Sequence, residues 1–344
     1  MNPYAASMII SSLAIGTITT LTSFHWILAW IGLEINTLAI IPLMTKNPHP
    51  RSIEASTKYF LTQAAASALI LFSCTLNAWL FGEWAINNFS NPFSTTLMSI
   101  AILTKLGVAP FHFWLPEVLQ GLPLQTGLIL STWQKLAPMA LLLQLSQTLS
   151  LNLMLLLGLI STLIGGWGGI NQTQTRKILA FSSIAHLGWM VAVLKLSPEL
   201  YLLNFSLYVI MTSTLFYVFL TLNSKNMMQL TTSWPKIPTL AALSLLSLLS
   251  LSGLPPLTGF LPKWLIAQEL IKQNLTLFAL LILMSTLLSL FFYLRLTYII
   301  SLTLAPNSSS SPQLWLFKKK NYLSIPLLLT LCLLPISPSF IIIT

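Results

Sequence analysis

Long stretches of this chain carry no charged side chain, and this feature limits the fold more than any other. The 344 residues include 16 Lys and Arg and six acidic residues, all of them Glu. Soluble domains carry roughly a quarter charged residues, so a water-facing surface cannot be built from this composition. The apolar runs exceed the ~20 residues that an α-helix needs to cross a bilayer. The sequence therefore predicts an all-α polytopic membrane protein.

Three other classes are disfavoured. Strands of a transmembrane barrel are about ten residues long and alternate in polarity, whereas the runs here are longer and uninterrupted. The formal charge of +10 is spread between apolar runs instead of clustering on one face, so no nucleic-acid partner is expected. Cys74 and Cys332 each lie in an apolar run and predict neither a disulfide framework nor a metal site.

Eleven membrane spans are predicted in a single transmembrane domain of residues 1–344. The polar segments 46–51, 223–236 and 306–320 are expected to be loops. The first apolar run follows Met1-Asn2-Pro3 without a basic segment, so no removable targeting peptide is expected. The approximate spans are 4–23, 25–44, 57–80, 94–121, 123–146, 150–171, 174–195, 198–222, 238–272, 275–303 and 322–342.

The basic residues predict the orientation of the chain. Loops on one side of the predicted membrane keep only Lys195 and Lys272, and loops on the other side hold the remaining basic loop residues. Short loops rich in Lys and Arg stay on the side of synthesis. The N-terminus is therefore predicted on that side and, with an odd number of spans, the C-terminus on the opposite one.

Two predicted spans, 94–121 and 238–272, share a pattern of glycine and proline. Gly107 and Gly253 are each followed by Pro at the third, Leu at the eighth and Pro at the ninth position. Proline removes a backbone donor and clashes with the preceding turn, so each helix should be interrupted. Unpaired backbone groups at membrane depth are tolerated only where they face protein or a wet cavity.

The two interruptions predict an antiporter-like architecture. They lie five spans apart, so the broken helices would cross the membrane in opposite directions, as in an inverted repeat of roughly 57–195 and 198–342. Interrupted helices at matching places in two halves are the best sequence indication of a transporter's ion site. Gly and Pro are common in membrane helices, but four shared positions favour a repeat.

Five ionisable residues fall near the middle of predicted spans: Glu34, Lys105, Lys135, His186 and Lys263. Each such charge costs at least ~2.5 to 3.5 kcal/mol, so a functional interpretation is favoured. Burial disfavours a charged lysine and a nearby carboxylate favours it, so a lysine between these influences can gain or lose a proton. Charging one site can then expel a proton from the next, and we interpret the five residues as a candidate proton relay.

Two histidines have alternative interpretations. His186 either bridges Lys135 and Lys263, because imidazole titrates near neutrality, or forms a packing hydrogen bond between helices. His112 lies inside the first interruption and is a possible secondary relay. A structural role, donating to carbonyls freed by the interruption, is slightly favoured for it.

Redox chemistry is not expected in this chain. The sequence has no glycine-rich nucleotide loop, no cysteine cluster for iron and sulfur, and no pair of axial haem ligands spaced on one helix. No cofactor or metal is therefore predicted here. Protons that move against a gradient would need energy from a partner.

Three segments resemble one family closely. They are Lys105-Leu-Gly-Val-Ala-Pro-Phe-His-Phe-Trp-Leu-Pro-Glu-Val, Trp133-Gln-Lys-Leu-Ala-Pro138 and Gly253-Leu-Pro-Pro-Leu-Thr-Gly-Phe-Leu-Pro-Lys-Trp264. Taken along the whole chain, the sequence is similar to the antiporter-like membrane-arm subunits of mitochondrial respiratory complex I, the proton-pumping NADH:ubiquinone oxidoreductase, in a short vertebrate-type form.

The resemblance implies a location, partners and residue roles. It implies the mitochondrial inner membrane, with the N-terminus in the matrix and the C-terminus in the intermembrane space. Neighbouring antiporter-like and small core subunits, accessory subunits and lipids such as cardiolipin would be partners, with FMN, iron–sulfur clusters and ubiquinone elsewhere in the complex. Glu34 and Lys105 would form an ion pair in the first half channel, Lys135 and His186 the central relay, and Lys263 the exit toward the next pump subunit.

Two rival functions remain open from the residues alone. A stand-alone cation/proton antiporter would use the same interrupted helices and lysines, and differs in transporting without an assembly. A non-catalytic membrane scaffold is disfavoured, because it does not explain five ionisable groups at mid-depth unless all are packed pairs.

Overall fold

The computed structural model describes residues 2–86, 88–234, 237–302, 324–331 and 334. That part of the chain is helical, and six of its helices are long and apolar enough to cross a membrane. The chain divides into two compact units, Met1–Gly158 and Leu159–Thr344. The helices are α1 Pro3–Thr22, α2 Trp26–Met44, α3 Pro50–Phe81, α4 Pro92–Leu106, α5 Trp114–Gly121, α6 Leu124–Ser131, α7 Trp133–Gln144, α8 Leu151–Ile170, α9 Thr175–Val193, α10 Pro198–Thr221, α11 Met227–Thr231, α12 Pro238–Ser252, α13 Phe260–Lys272 and α14 Thr276–Leu302.

Proline and polar caps set where several helices begin. In α3, Pro50 occupies the first turn, where its missing N–H costs nothing. The His49 ring accepts a hydrogen bond from the Arg51 amide at 3.1 Å, and the Ser52 hydroxyl accepts one from the His49 amide at 3.2 Å. The helix therefore starts at Pro50 and not at the predicted residue 57, because the cap outweighs the polar composition of its first two turns.

The two predicted interruptions are confirmed, and each begins at a glycine with positive φ. In the first unit, the 15-residue α4 is capped by Gly107, which has φ +78°, and α5 begins at Trp114. In the second unit, the 15-residue α12 is capped by Gly253, which has φ +82°, and α13 begins at Phe260. Both glycines adopt the left-handed conformation that ends a helix at little steric cost.

Other helices also correspond in length. The helices α1 and α8 both have 20 residues, and α2 and α9 both have 19. These lengths favour a repeat that starts again at α8. The predicted repeat boundaries, 57–195 and 198–342, stay a prediction.

Four predicted segments differ from the structure or lie largely outside its described part. The single span 123–146 is two helices, α6 and α7, that meet at Thr132. Residues 223–236, expected to be a loop, include the short helix α11. The predicted eleventh span, 322–342, and the loop 306–320 fall mostly or wholly outside the described residues, so the count of eleven spans stays a prediction.

Candidate functional site

The first unit brings Glu34 and Lys105 together beside the interruption. Lys105 lies in the last turn of α4, and its Nζ atom is 3.8 Å from Oε1 of Glu34 on α2. The Lys105 side chain is 2% exposed and the Glu34 side chain 24%. This separation is too long for a hydrogen bond, and neither atom has a hydrogen-bond partner among the described residues. The pair is thus held by charge without a direct bond.

Lys135 lines the same cavity as Lys105. It is 3% exposed and lies in the first turn of α7. The cavity has a volume of about 20 Å³, and polar side chains from α2, α3 and α7 also line it. A space of ~10 to 15 Å³ is enough for one water molecule when polar partners surround it. The cavity can therefore hold the water that a proton needs to pass between lysines that do not touch.

Side chains around this cavity bind the backbone carbonyls at the end of α4. Gln63 donates to the Lys105 carbonyl at 3.3 Å, and the Trp114 indole donates to the Thr104 carbonyl at 3.1 Å. The last carbonyls of a helix have no partner in their own helix, so these two bonds satisfy groups that the interruption frees. The ammonium of Lys105 is consequently not needed to satisfy them and stays directed to Glu34.

In the second unit, the Lys263 side chain itself donates a hydrogen bond to a carbonyl that the interruption frees. Its Nζ atom donates to the carbonyl of Ser252, the last residue of α12, at 2.8 Å. A methyl group added at Gly253 would lie 2.9 Å from the same nitrogen, so the lysine passes directly over the interruption. Lys263 is half-buried. Its positive charge meets the negative end of the α12 dipole.

His186 lies on α9 and shares a second cavity with Lys263. This cavity has a volume of about 10 Å³, and it is lined by Ala185, His186, Trp189, Lys263, Ser289 and Tyr293. The His186 ring lies 5.8 Å from the Tyr208 ring, centroid to centroid. The structure therefore places this histidine beside the lysine of the second interruption.

His112 lies inside the first interruption, as its sequence position requires. It is 4% exposed, and its Nδ1 atom is 3.2 Å from the Pro110 carbonyl oxygen. Its ring contacts the Phe113 ring in a tilted arrangement, with centroids 4.4 Å apart. This contact is the local backbone bond expected of a structural role, and its possible role as a secondary relay stays a prediction.

The predicted site residues thus form two groups. Glu34, Lys105 and Lys135 lie in the first unit, and His186 and Lys263 lie in the second. Within the described ranges, no group of three or more His, Cys, Asp or Glu side chains can hold a metal ion. The other ion pairs in those ranges involve exposed residues near helix ends.

Sequence reasoning missed the neutral polar residues of both cavities. Gln63, Gln134 and Tyr59 line the first cavity, and Ser289 and Tyr293 line the second. An amide or hydroxyl group in an apolar run indicates a functional site less clearly than a charged group does. Buried polar side chains need hydrogen-bond partners, so such residues at mid-span were the signal that could have found them.

Comparison with known proteins gives matches along nearly the whole chain. Residues 23–289 match the family model of the NADH:quinone oxidoreductase/Mrp antiporter transmembrane region, and residues 290–341 match NADH dehydrogenase subunit 2 C-terminus. The chain is 62% identical to NADH-ubiquinone oxidoreductase chain 2 of Xenopus laevis, over 98% of this chain and 99% of the relative. It is 59% identical to the chain of the same name from Salmo salar, over 98% of each.

Solved structures agree in fold. A chain in respiratory complex I from Thermus thermophilus, solved with bound aureothin, has a TM-score of 0.84 and 26% identity, over 97% of this chain and 78% of that one. A chain of the Mrp complex from Dietzia has a TM-score of 0.79 at 18% identity, over 85% of this chain and 60% of that one, and shows the fold alone.

Proposed function

Because the chain belongs to the NADH-ubiquinone oxidoreductase chain 2 family, we propose that it carries part of a proton path through Glu34, Lys105, Lys135, His186 and Lys263. It is an antiporter-like membrane subunit of the NADH-ubiquinone oxidoreductase, respiratory complex I. The observation that carries the proposed path is the placement of a lysine at each helix interruption, one facing a carboxylate and one facing a freed carbonyl.

The first three residues act as a loading site. With Lys105 charged, the Glu34 carboxylate 3.8 Å away stabilises the pair. A change that separates the pair removes that stabilisation, and the buried ammonium then releases its proton to the water-sized cavity that Lys135 also lines. Two like charges at one small cavity repel each other, so Lys105 and Lys135 load in alternation.

Lys263 and His186 act as the second site. The Ser252 carbonyl stabilises the charged form of Lys263, and the imidazole of His186 offers a proton acceptor at the same cavity. In this scheme His186 passes a proton to Lys263, toward the next pump subunit.

The driving energy comes from outside the chain. Electron transfer from NADH to ubiquinone, through FMN and iron–sulfur clusters held by other subunits, supplies it. The chain would lie in the mitochondrial inner membrane, with its N-terminus in the matrix and its C-terminus in the intermembrane space. Neighbouring membrane-arm subunits, accessory subunits and lipids such as cardiolipin would cover its surface.

A stand-alone cation/proton antiporter is the weaker alternative. The family model covers Mrp antiporters as well, but relatives at 59–62% identity over nearly the full length are oxidoreductase chains. The two functions differ in one observable, because an antiporter would exchange ions without electron transfer.

The proposed path is tested with assembled complexes that carry Lys105→Met or Lys263→Met, reconstituted in vesicles. Methionine keeps the length of the side chain and removes the charge. Protons translocated per NADH oxidised and the rate of NADH oxidation are measured together. Lys272→Met is the matched control, because Lys272 ends the same helix as Lys263 and its side chain is 73% exposed.

We expect either site variant to lower pumping or turnover by at least about tenfold, as for loss of a proton-transfer group, and Lys272→Met to leave both unchanged. Normal pumping and turnover in both site variants would show that the lysines are structural and would refute the path. Ion exchange by the isolated chain in vesicles would favour the antiporter alternative instead.

A further inference from the structure

Tyr293 has a buried hydroxyl group that the proposed path does not use. The residue lies on α14 and is 1% exposed. Its Oη atom is fully shielded and has no hydrogen-bond partner within 3.5 Å among the described residues. A phenol buried without a partner is costly, and buried tyrosines usually bond their hydroxyl group. A hydrogen-bond partner for this hydroxyl is therefore expected.

The hydroxyl belongs to a residue of the cavity that His186 and Lys263 share. At about 10 Å³, the cavity is at the lower limit of the space that one water molecule needs. The helices α9, α13 and α14, which carry the three side chains, pack against one another. One water molecule in this cavity would have an ammonium, an imidazole and a phenol as surrounding polar groups.

Among the other residues of this cavity, none matches the chemistry of Tyr293. Ser289 donates its proton to the Thr286 carbonyl of its own helix at 2.8 Å. Trp189 has an indole N–H that only donates, and Ala185 has no polar side-chain atom. A phenol both donates and accepts, so it can receive one proton while it gives up another. Tyr293 is the lining side chain, besides the lysine and the histidine, with this property and with no hydrogen-bond partner within 3.5 Å among the described residues.

We propose that the Tyr293 hydroxyl group is a positioning residue that links Lys263 to His186 through one water molecule in this cavity. The inference rests on the proposed proton path. Starting from charged His186, the imidazole N–H bond breaks as its proton joins the water molecule, an O–H bond of that water breaks as its proton passes to the neutral amine of Lys263, and the Tyr293 hydroxyl holds the water in place by a hydrogen bond. Each bond that breaks is replaced by one that forms, and one positive charge moves from the imidazole to the lysine.

Ser182 offers a purely structural explanation. Its hydroxyl interacts with that of Tyr293, and it already donates to the Leu179 carbonyl at 2.8 Å. It can therefore only accept from the phenol. If that contact were the purpose of the Tyr293 hydroxyl, removal of either group would have the same effect.

The test compares three variants of the assembled complex in vesicles: Tyr293→Phe, Ser182→Ala and Tyr201→Phe. Phenylalanine keeps the ring that contacts the Phe292 ring, with centroids 4.3 Å apart, and removes only the hydroxyl. Tyr201 is a tyrosine of equal burial that does not line the cavity. Protons per NADH and the rate of NADH oxidation are measured for each variant, with Lys263→Met run beside them.

We expect Tyr293→Phe to lower proton translocation by about tenfold, less than loss of a full acid–base group because water can partly replace a phenol. Ser182→Ala and Tyr201→Phe should stay within twofold of the parent. Tyr293→His should recover most of the loss, because imidazole also donates and accepts although its shape differs. A side chain that only filled the space of the tyrosine ring would not restore proton translocation.

Several outcomes would overturn the inference. They are normal pumping in Tyr293→Phe, an equal loss in Ser182→Ala, no recovery in Tyr293→His, and failure of Tyr293→Phe to assemble, since a missing hydroxyl would then act on folding. If Lys263→Met is impaired and Tyr293→Phe is normal, only this inference fails. If both pump normally, the proposed path fails with it.

Discussion

Gly253→Ala tests whether the backbone of the second interruption holds Lys263 in place. The new methyl group would lie 2.9 Å from Nζ and 3.0 Å from Cδ of Lys263, and the φ of +82° is unfavourable for alanine. The backbone strain is about 1 to 2 kcal/mol. Displacement of the ammonium also breaks its 2.8 Å bond to the Ser252 carbonyl, and a bond to a charged group contributes about 1.5 to 3 kcal/mol. The two effects together destabilise the held lysine by about 2.5 to 5 kcal/mol.

Gly82→Ala separates the two effects. Gly82 has φ +72°, and a methyl group there would meet no atom within 4 Å, so this variant carries the strain alone. The difference in stability between the two variants is then the contribution of the Lys263 hydrogen bond. It corresponds to about a ten- to hundredfold lower population of the form in which Lys263 binds the Ser252 carbonyl. Both variants are assayed for complex assembly and for protons pumped per NADH. Equal pumping in the two variants would refute the idea that this interruption positions Lys263.

Two further predictions concern charged groups. Glu34→Gln removes the carboxylate 3.8 Å from Lys105, an attraction of at most about 4 kcal/mol at an effective dielectric constant of ~20; NADH oxidation by the assembled complex should slow at least about tenfold, and an unchanged rate would argue against the pair. Arg295→Met should lower the thermal stability of the complex by about 2 to 4 kcal/mol, because Arg295 donates to the carbonyls of Ile170 and Gln172 at the end of α8. Thermal inactivation measures this loss, and an unaltered midpoint would show that the arginine is replaceable.

The interruptions were predictable because glycine and proline act on the backbone directly. A positive-φ glycine followed by prolines ends the helix at both interruptions, whereas a single proline does not, since Pro42 and Pro138 lie inside α2 and α7. The break at Thr132 was missed, since neither residue type stands there. Pro138 lies inside α7, six residues after Thr132, and the helix continues through it. The proline of this span therefore did not indicate the break.

The site was predictable only in part, because sequence shows charge but not contact. Mid-span lysines are costly enough to stand out, and the structure places Lys105 near Glu34 and Lys263 near His186. The orientation of Lys263 toward its own interruption depends on a path over Gly253 that spacing alone does not specify. The neutral members of the cavities become recognisable only when tertiary packing buries them together.

The two interruptions both begin at a glycine with positive φ and handle charge differently. In the first, neutral donors from Gln63 and Trp114 satisfy the freed carbonyls, so Lys105 is paired with a carboxylate. In the second, Lys263 is the donor, and no described carboxylate lies within 4 Å of it. Separating a full ion pair requires more free energy than breaking a bond to a carbonyl dipole. Lys105 should therefore need an external displacement of Glu34 to discharge, whereas Lys263 can exchange its proton by a local rotation of its side chain.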